Sequence, residues 1–326
     1  MRATVREVKV EHSAATGGVA AQFQEHERCL WGLCYRLTGS AADADDLVQE
    51  TFLRAMERPP ARREEPWRPW LVRVAVNLGR DALRRRKRRA YVGPWLPSPV
   101  ETEDEPPSWE LEGEGGTEQR YDRIESVSFA FLLALEALTP QQRAVLLLRD
   151  VFDYSVKETA AALGLSEPNV KTTHHRARRA LEPYDRERDP PSPAVVERSQ
   201  RALVRFLESL ASQDVAAVEA QLAEDVRSLS DGGGEFAAAR IPLHGRARVA
   251  RVLVGLRKHG AMVRRGAMRL LNGLPALVLE QASARRHFAQ RVVVQCEVDR
   301  EGRITAIYTV LATAKLTAVR PIDAGP

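Results

Sequence analysis

Residues 158–181 read ETAAALGLSEPNVKTTHHRARRAL, and their spacing predicts two short helices joined by a tight turn. Val156, Thr159, Ala160 and Leu163 form an apolar set on the first helix. Gly164-Leu165-Ser166 supplies the turn, with Ser166 as the N-cap of the second helix. Val170, His174, Ala177 and Leu181 recur at four, three and four residues, which is one face of that second helix. Asn169, Thr172, Thr173, Arg176 and Arg179 are polar, and several of them must point away from that seam. This is a helix-turn-helix pattern whose second helix suits a major groove. The helix N-terminus favours phosphates, and the polar side chains can reach phosphates and base edges. The competing reading of the same residues is an αα-hairpin that binds protein.

Working outward, helical periodicity extends this segment over residues 126–182. Upstream lies a seam at 91–125. Gly93-Pro94-Trp95-Leu96-Pro97-Ser98-Pro99 cannot continue a helix, and Glu101 to Glu118 carries eight carboxylates among prolines and glycines. Before the seam, residues 19–90 read as one all-helical domain, with residues 1–18 loose. Phe23, Leu30, Leu33, Cys34 and Leu37 mark its first helix, and Thr38-Gly39-Ser40 breaks it. The next begins at Asp43-Ala44-Asp45-Asp46, with Leu47, Val48, Phe52 and Leu53 on one side, and Pro59-Pro60 stops it. Trp67 to Arg89 is the third, ending in the cationic run Arg84-Arg85-Arg86-Lys87-Arg88-Arg89. Such a run repels itself unless an anion faces it, and Trp67, Trp70, Arg73, Asn77 and Arg80 interleave aromatic and polar groups beside it. That combination suits unpaired nucleotides as well as duplex; a solvated face is the alternative. Asp43, Asp46 and Glu50 share a helical face. With no His or Cys beside them, an acidic face for a basic protein partner is the natural reading.

Downstream, prolines at 183, 190, 191 and 193 mark a second linker, 183–195. Residues 196–320 change character. Helices are expected at 196–210, 215–222 and 246–258, and β-rich runs at 226–229, 276–280, 288–298 and 304–310, an α+β domain with antiparallel strands. The chain has 326 residues, 44% hydrophobic and 29% charged, with a formal net charge of +5. Those values fit a multidomain protein with a polyanion partner. No apolar run is long enough to span a bilayer or serve as a secretion signal, so no membrane insertion is expected and the place of work is the cytoplasm. Cys29, Cys34 and Cys296 make neither a disulfide framework nor a zinc site.

Three segments, in order, resemble the extracytoplasmic-function (group IV) RNA polymerase sigma factors. LWGLCYRLTGSAADADDLVQETFLRA resembles the core-binding part of sigma region 2. WLVRVAVNLGRDALRRRKRR resembles the remainder of that region, which melts and reads the −10 element. ALEALTPQQRAVLLLRDVFDYSVKETAAALGLSEPNVKTTHHRARRAL resembles region 4, which reads the −35 element. The resemblance implies core RNA polymerase and promoter DNA as partners. It places Asp45, Asp46, Gln49 and Glu50 on the polymerase-binding surface. Arg73, Asn77, Arg80, Asp81, Arg84 and Arg85 fall on or beside the −10 surface, and Glu167, Asn169, Lys171, Thr172, Thr173 and Arg176 on the −35 helix. His174 departs from the family, which usually has an inward apolar residue there; a neutral, buried histidine is expected.

The tail resembles a subgroup, the SigJ-like sigma factors, which carry a C-terminal SnoaL-like domain. YVGPWLPSPV at 91–100 is similar to the linker of that subgroup, SDGGGEFAAARIPLHGRARVARVL at 230–253 to the glycine motif of the domain, and NGLPALVLE at 272–280 to its following strand. The implied architecture is two all-α sigma domains followed by an α+β, cone-shaped SnoaL-like domain. Asp231-Gly232-Gly233-Gly234 lacks the lysine and hydroxyl of a nucleotide loop, so a tight strand connection competes with a contact to the sigma domains or their linker. The regulatory interface expected from the resemblance is therefore Trp95, Leu96, Pro97, Asp231, Gly232, Gly233 and Gly234. Arg240, Arg246 and Arg248 are expected to meet the acidic linker or Asp231. Relatives end in a segment like Asn-Pro-Asp-Lys-Leu, where this chain has Ala312-Thr313-Ala314-Lys315-Leu316. The loss of that turn implies weaker or differently arranged control.

Some SnoaL-like domains are enzymes that use His/Asp pairs. Here Asp225, Asp231, His244, His259 and His287 are available, but spacing fixes no pair, and neither catalysis nor a cofactor or metal is expected. A small-molecule ligand in the tail is left open. The resemblance thus implies a sigma factor whose tail modulates it in cis; the competing class is a ligand-responsive helix-turn-helix regulator.

Overall fold

The computed structural model describes residues 4–60, 66–88, 91–102, 120–259, 262–282 and 287–322. Helices α1 (Thr4–Thr38), α2 (Ala41–Glu57) and α3 (Trp67–Arg88) open the chain, and α4 (Phe129–Ala134), α5 (Pro140–Asp150), α6 (Val156–Leu163) and α7 (Glu167–Glu187) come next. Then come α8 (Pro193–Ala211), α9 (Val215–Ala220), β1 (Leu222–Asp231), β2 (Leu243–His244), α10 (Arg246–His259), β3 (Met262–Leu271), β4 (Leu274–Ala282), β5 (Arg291–Val298) and β6 (Ile304–Val310). The chain folds as two compact units. One combines Met1–Arg88, Pro107–Arg123 and Ala134–Pro183; the other combines Arg89–Pro106, Ile124–Leu133 and Tyr184–Pro326.

The first unit is helical. Its α1 begins at Thr4, which corrects the expectation of a loose segment over residues 4–18; residues 1–3 lie outside the described residues. Residues 4–16 contain no proline or glycine, so nothing there interrupts a helix even though no apolar stripe announces it. Ser40 caps α2, its hydroxyl accepting from the Asp43 amide at 3.2 Å. Leu30, Leu33 and Leu37 of α1, Leu47, Val48 and Phe52 of α2, and Leu71, Ala75 and Val76 of α3 are all buried. Helices α5 and α6 pack against this trio. Both start on capping boxes, Thr139 with Gln142 and Ser155 with Glu158, each side chain reaching the other residue's amide.

The second unit is α+β. Its six-stranded sheet runs β2-β1-β6-β5-β4-β3. The sheet is mixed, because β1 pairs parallel with β6 while the other pairs are antiparallel. That corrects the all-antiparallel expectation: β1 and β6 are far apart in sequence, and the intervening helix and hairpins bring the last strand back beside the first. Strand β3 is also a correction. MVRRGAMRLL carries three arginines and a glycine, an edge strand marked by charge rather than by alternation. One face of the sheet is covered by helices, with Leu203 and Phe206 of α8, Val218 of α9 and Val249 and Val254 of α10 packed with Val226, Cys296 and Ile307. The other face, Ala276, Val278, Val293, Tyr308 and Val310, is covered by Leu96 and Phe129 from chain segments that precede α5. Cys29, Cys34 and Cys296 are free thiols. Burial pushes all three up, Cys296 to about 12, and Cys34 has no exposed surface.

Candidate nucleic-acid interface

In the first unit, the helix-turn-helix is built as its spacing predicts. Gly164 ends α6 at φ +64, a left-handed turn, and the Ser166 hydroxyl accepts from the Asn169 amide at 3.4 Å. Val170, Ala177 and Leu181 are buried on the inner face of α7, while Glu167, Asn169, Lys171, Thr172 and Arg176 are exposed. Thr173 is a correction. It is buried, and its hydroxyl donates to Asn169 Oδ1 at 3.1 Å, so it orients Asn169 rather than facing outward.

His174 is a second correction. It does not fill an apolar slot: its Nε2 lies 2.8 Å from Asp150 Oδ1. Asp150, at the end of α5 and 1% exposed, also accepts from Arg178 Nε at 3.0 Å and Nη2 at 2.6 Å. Burial acts to raise the Asp150 carboxyl, but the His174 and Arg178 hydrogen bonds and charges outweigh it and hold the group below its ordinary value. A bidentate arginine and a histidine on successive turns of α7 thus converge on one carboxylate, fixing both position and rotation of that helix.

Along α3, Arg73, Asp81, Arg84 and Arg85 are exposed. Asp81 accepts from Arg84 at 2.8 Å. Arg80 is turned inward, with Nη1 3.3 Å from Oδ1 of the half-buried Asn77, and burial, then Arg84, lower its pKa. Trp67 and Trp70 stack edge to face, 6.5 Å between centroids. On α2, Asp45, Asp46 and Gln49 are exposed. Asp45 accepts from Trp31 Nε1 at 2.6 Å, and Glu50 pairs with Arg54 at 2.9 Å.

In the second unit, Asp231 ends β1 with no exposed surface. Its Oδ1 accepts from Tyr91 Oη at 2.6 Å and from the Gly233 amide at 3.0 Å; its Oδ2 accepts from the Leu96 amide at 2.8 Å and pairs with Lys315 Nζ at 2.5 Å. Lys315 Nζ also bonds the Leu96 carbonyl and lies 4.3 Å from the Trp95 ring centroid. Gly233 and Gly234 take positive φ, a tight connection folded around the same carboxylate. At Asp231 the expectation of an arginine partner is corrected, because the buried cation there is Lys315, and Arg246 pairs with Glu219 and Glu224. The acidic run at 103–119 lies outside the described residues.

A second attachment joins two of the motifs, the first residue of the 272–280 stretch and the last of the 91–100 stretch. Asn272, buried at φ +52, accepts from the Val100 amide at 2.9 Å through Oδ1 and donates to the Val127 carbonyl at 2.7 Å through Nδ2. Thr102 bonds Leu270 and Gly273, and Glu101 pairs with Arg269 at 2.6 Å and with Arg320 at 3.3 Å. The β3–β4 turn therefore holds the chain on both sides of the acidic run. The Asn-Gly dipeptide signals a hairpin turn, but nothing local signals what that turn would clasp. Among the described residues, no cluster of His, Cys, Asp or Glu could hold a metal, and no helix is long and apolar enough to cross a membrane.

Sigma-70 region 2 matches residues 22–89 and sigma-70 region 4 matches residues 128–181. The extracytoplasmic-function sigma factor SigJ of Mycobacterium tuberculosis is 31% identical over 313 residues, spanning 91% of this chain and 93% of SigJ. SigG of the same organism is 34% identical over 221 residues, 61% of this chain and 57% of SigG. The crystal structure of M. tuberculosis SigJ superposes with a TM-score of 0.67 at 27% identity, covering 92% of this chain and 98% of that one.

Proposed function

The chain belongs to the extracytoplasmic-function sigma factors of RNA polymerase, and from that premise we propose how its parts divide the work. It binds core polymerase and recognises promoters; the polymerase carries out RNA synthesis, and this chain performs no chemistry of its own. The observation that carries this reading is the relation to SigJ, which extends past both sigma regions through the tail.

Residues 19–90 are then the region 2 domain. Asp45, Asp46, Gln49 and Glu50 meet basic groups of the core, and Arg73, Asn77, Asp81, Arg84 and Arg85 meet the −10 segment, with Arg80 supporting them from inside. Residues 126–182 are the region 4 domain. Glu167, Asn169, Lys171, Thr172 and Arg176 face the −35 duplex, where phosphate contacts give affinity and base-edge contacts give sequence. Residues 91–125 and 183–195 are the linkers, and 196–320 is a SnoaL-like domain closing as a cone. The protein works in the cytoplasm.

The tail acts in cis through the linker. Support comes from Asp231 and Lys315, which hold Tyr91, Trp95 and Leu96, and from Asn272, which holds Val100 and Val127. Lys315 is retained where the surrounding Asn-Pro-Asp is not, so this chain keeps the charge that meets the linker.

The test is initiation by purified core polymerase on genomic fragments, comparing the wild-type chain with Lys315→Met. The wild type is expected to start RNA at defined −35/−10 sites, and K315M to change the yield while core affinity stays constant. Binding of duplex DNA without core binding or initiation would instead identify a ligand-responsive helix-turn-helix regulator.

A further inference from the structure

In the second unit, residues 246–279 contain no Asp or Glu and eight Lys or Arg. Three of those cations are taken up: Arg246 pairs with Glu219 and Glu224, Arg269 pairs with Glu101, and Arg265 lies opposite Glu280 on β4. Arg248, Arg251, Arg257, Lys258 and Arg264 are exposed, and no carboxylate pairs with them among the described residues. The same stretch is also apolar for a surface. Of the six large apolar side chains left exposed beyond residue 200 among the described residues, Val252, Leu256, Met262 and Val263 lie here, at 36%, 55%, 68% and 39% exposure. Exposed apolar side chains gathered in one place mark a surface that meets a partner.

On α10, Val249, Ala250 and Val254 are buried in the core between helices and sheet. The opposite face carries Arg248, Val252 and Leu256 at steps of four, one ridge along the helix, with Arg251 and Lys258 beside it. Only two residues separate α10 from β3, so Lys258 and Met262, four Cα steps apart, lie within about 15 Å of each other. Strand β3 is an edge of the sheet, and its pairing with β4 shifts register between Val263 and Arg265, a bulge at Arg264. Met262, Val263, Arg264 and Arg265 are all exposed, where a strand with one face covered would bury every second side chain.

We propose that this corner of the second unit, the outer ridge of α10 with the first residues of β3, docks on the surface of an anionic lipid bilayer. Phosphates of duplex DNA and of lipid headgroups attract the same cations, and the apolar side chains decide between them. Val252, Leu256, Met262 and Val263 find no apolar layer on a phosphate–sugar backbone. A bilayer offers one, about 5–10 Å below the headgroups, while the cations stay with the lipid phosphates. The attachment is peripheral, since no helix among the described residues is long and apolar enough to cross a membrane. The inference goes beyond the sigma reading: a chain held at a bilayer is kept from promoter DNA, so lipid composition becomes an input to initiation.

The full chain is floated with vesicles of phosphatidylcholine, alone or mixed with phosphatidylglycerol, at about 0.15 M salt. The wild type is expected to bind the anionic vesicles roughly tenfold more tightly than the neutral ones. Leu256→Ser combined with Met262→Ser is expected to weaken that binding roughly tenfold, with an unchanged thermal midpoint and unchanged retention of random-sequence duplex DNA. Because this variant keeps every charge, such a loss cannot come from the cationic run on α3. Equal binding of the two vesicle types, or of the two proteins to anionic vesicles, overturns the proposal. So does a wild type that ignores vesicles while Arg257→Glu with Lys258→Glu weakens duplex retention, which would give the surface to DNA. A polarity-sensitive dye on Met262→Cys, in a Cys29→Ser background, is expected to shift to the blue on anionic vesicles. A dye that does not shift sinks the docking even if the double serine variant is unstable. None of these measurements needs polymerase, so failure of the docking stays separate from failure of the sigma reading, which wild-type initiation reports.

Discussion

Asp150 is a buried carboxylate that fixes two turns of α7, the helix proposed to face the −35 duplex, so its charge state matters to that helix. A carboxyl held below its unfolded value contributes stability that is fully present above that unfolded value, about 4 for aspartate, and is lost as pH falls through the folded one. Asp150→Asn is therefore expected to destabilise the first unit by about 1–3 kcal/mol near neutrality, because a buried, multiply bonded acceptor is weakened. The difference from wild type should shrink in acid. Urea melts of both proteins from pH 7 to pH 3 check this, and a constant difference would mean that Asp150 does not titrate differently in the folded state. In the sequence, His174 stands out by interrupting an apolar seam, which signals that something unusual occupies that position. Its partner is not legible, because Asp150 lies on another helix, and the capture of that carboxylate by His174 and Arg178 depends on how α5 and α7 cross.

At the scale of elements, two glycines with similar dihedrals carry different demands. Gly164 and Gly273 take φ +64 and +79. A Cβ at Gly164 would meet nothing within 4 Å, whereas one at Gly273 would lie 2.5 Å from Ile124 Cγ2 and 3.1 Å from Pro191 Cγ. Gly164→Ala is expected to cost about 1 kcal/mol, the backbone penalty alone. Gly273→Ala adds a collision and is expected to cost about 2–4 kcal/mol. Chemical denaturation of each variant gives the two values, and equal losses would mean that the β3–β4 turn is not packed as described. Much of the element order is legible in the chain. Both helices of the helix-turn-helix, the breaker at Thr38-Gly39-Ser40, and the strands around 276–280 and 304–310 announce themselves by periodicity and turn chemistry. Strand β3 does not, because Arg264, Arg265 and Arg269 on an edge strand look like solvated loop. The parallel β1–β6 pairing does not either, since no local pattern encodes which distant strand becomes a neighbour.

At the scale of the whole molecule, the sequence suggests a string of domains divided by linkers, and the fold distributes those linkers differently. Leu96 and Phe129 cover a face of the C-terminal sheet, so the second unit includes residues on both sides of the acidic run. A chain ended after Leu181 would keep those side chains and lose the sheet they cover. It is expected to bind a hydrophobic dye and self-associate more than the full chain, measured by fluorescence and light scattering; a monomeric truncation with no added dye binding would show that the segments find other cover. The thiols carry a different consequence. Nucleophilic attack on an oxidant requires thiolate, and burial raises Cys29, Cys34 and Cys296 above the ordinary cysteine value. Near neutral pH, all three are therefore poor substrates for peroxide or disulfide exchange. An oxidative stress acting directly on the folded chain would therefore meet the exposed thioethers of Met56 and Met262 before any of its three thiols.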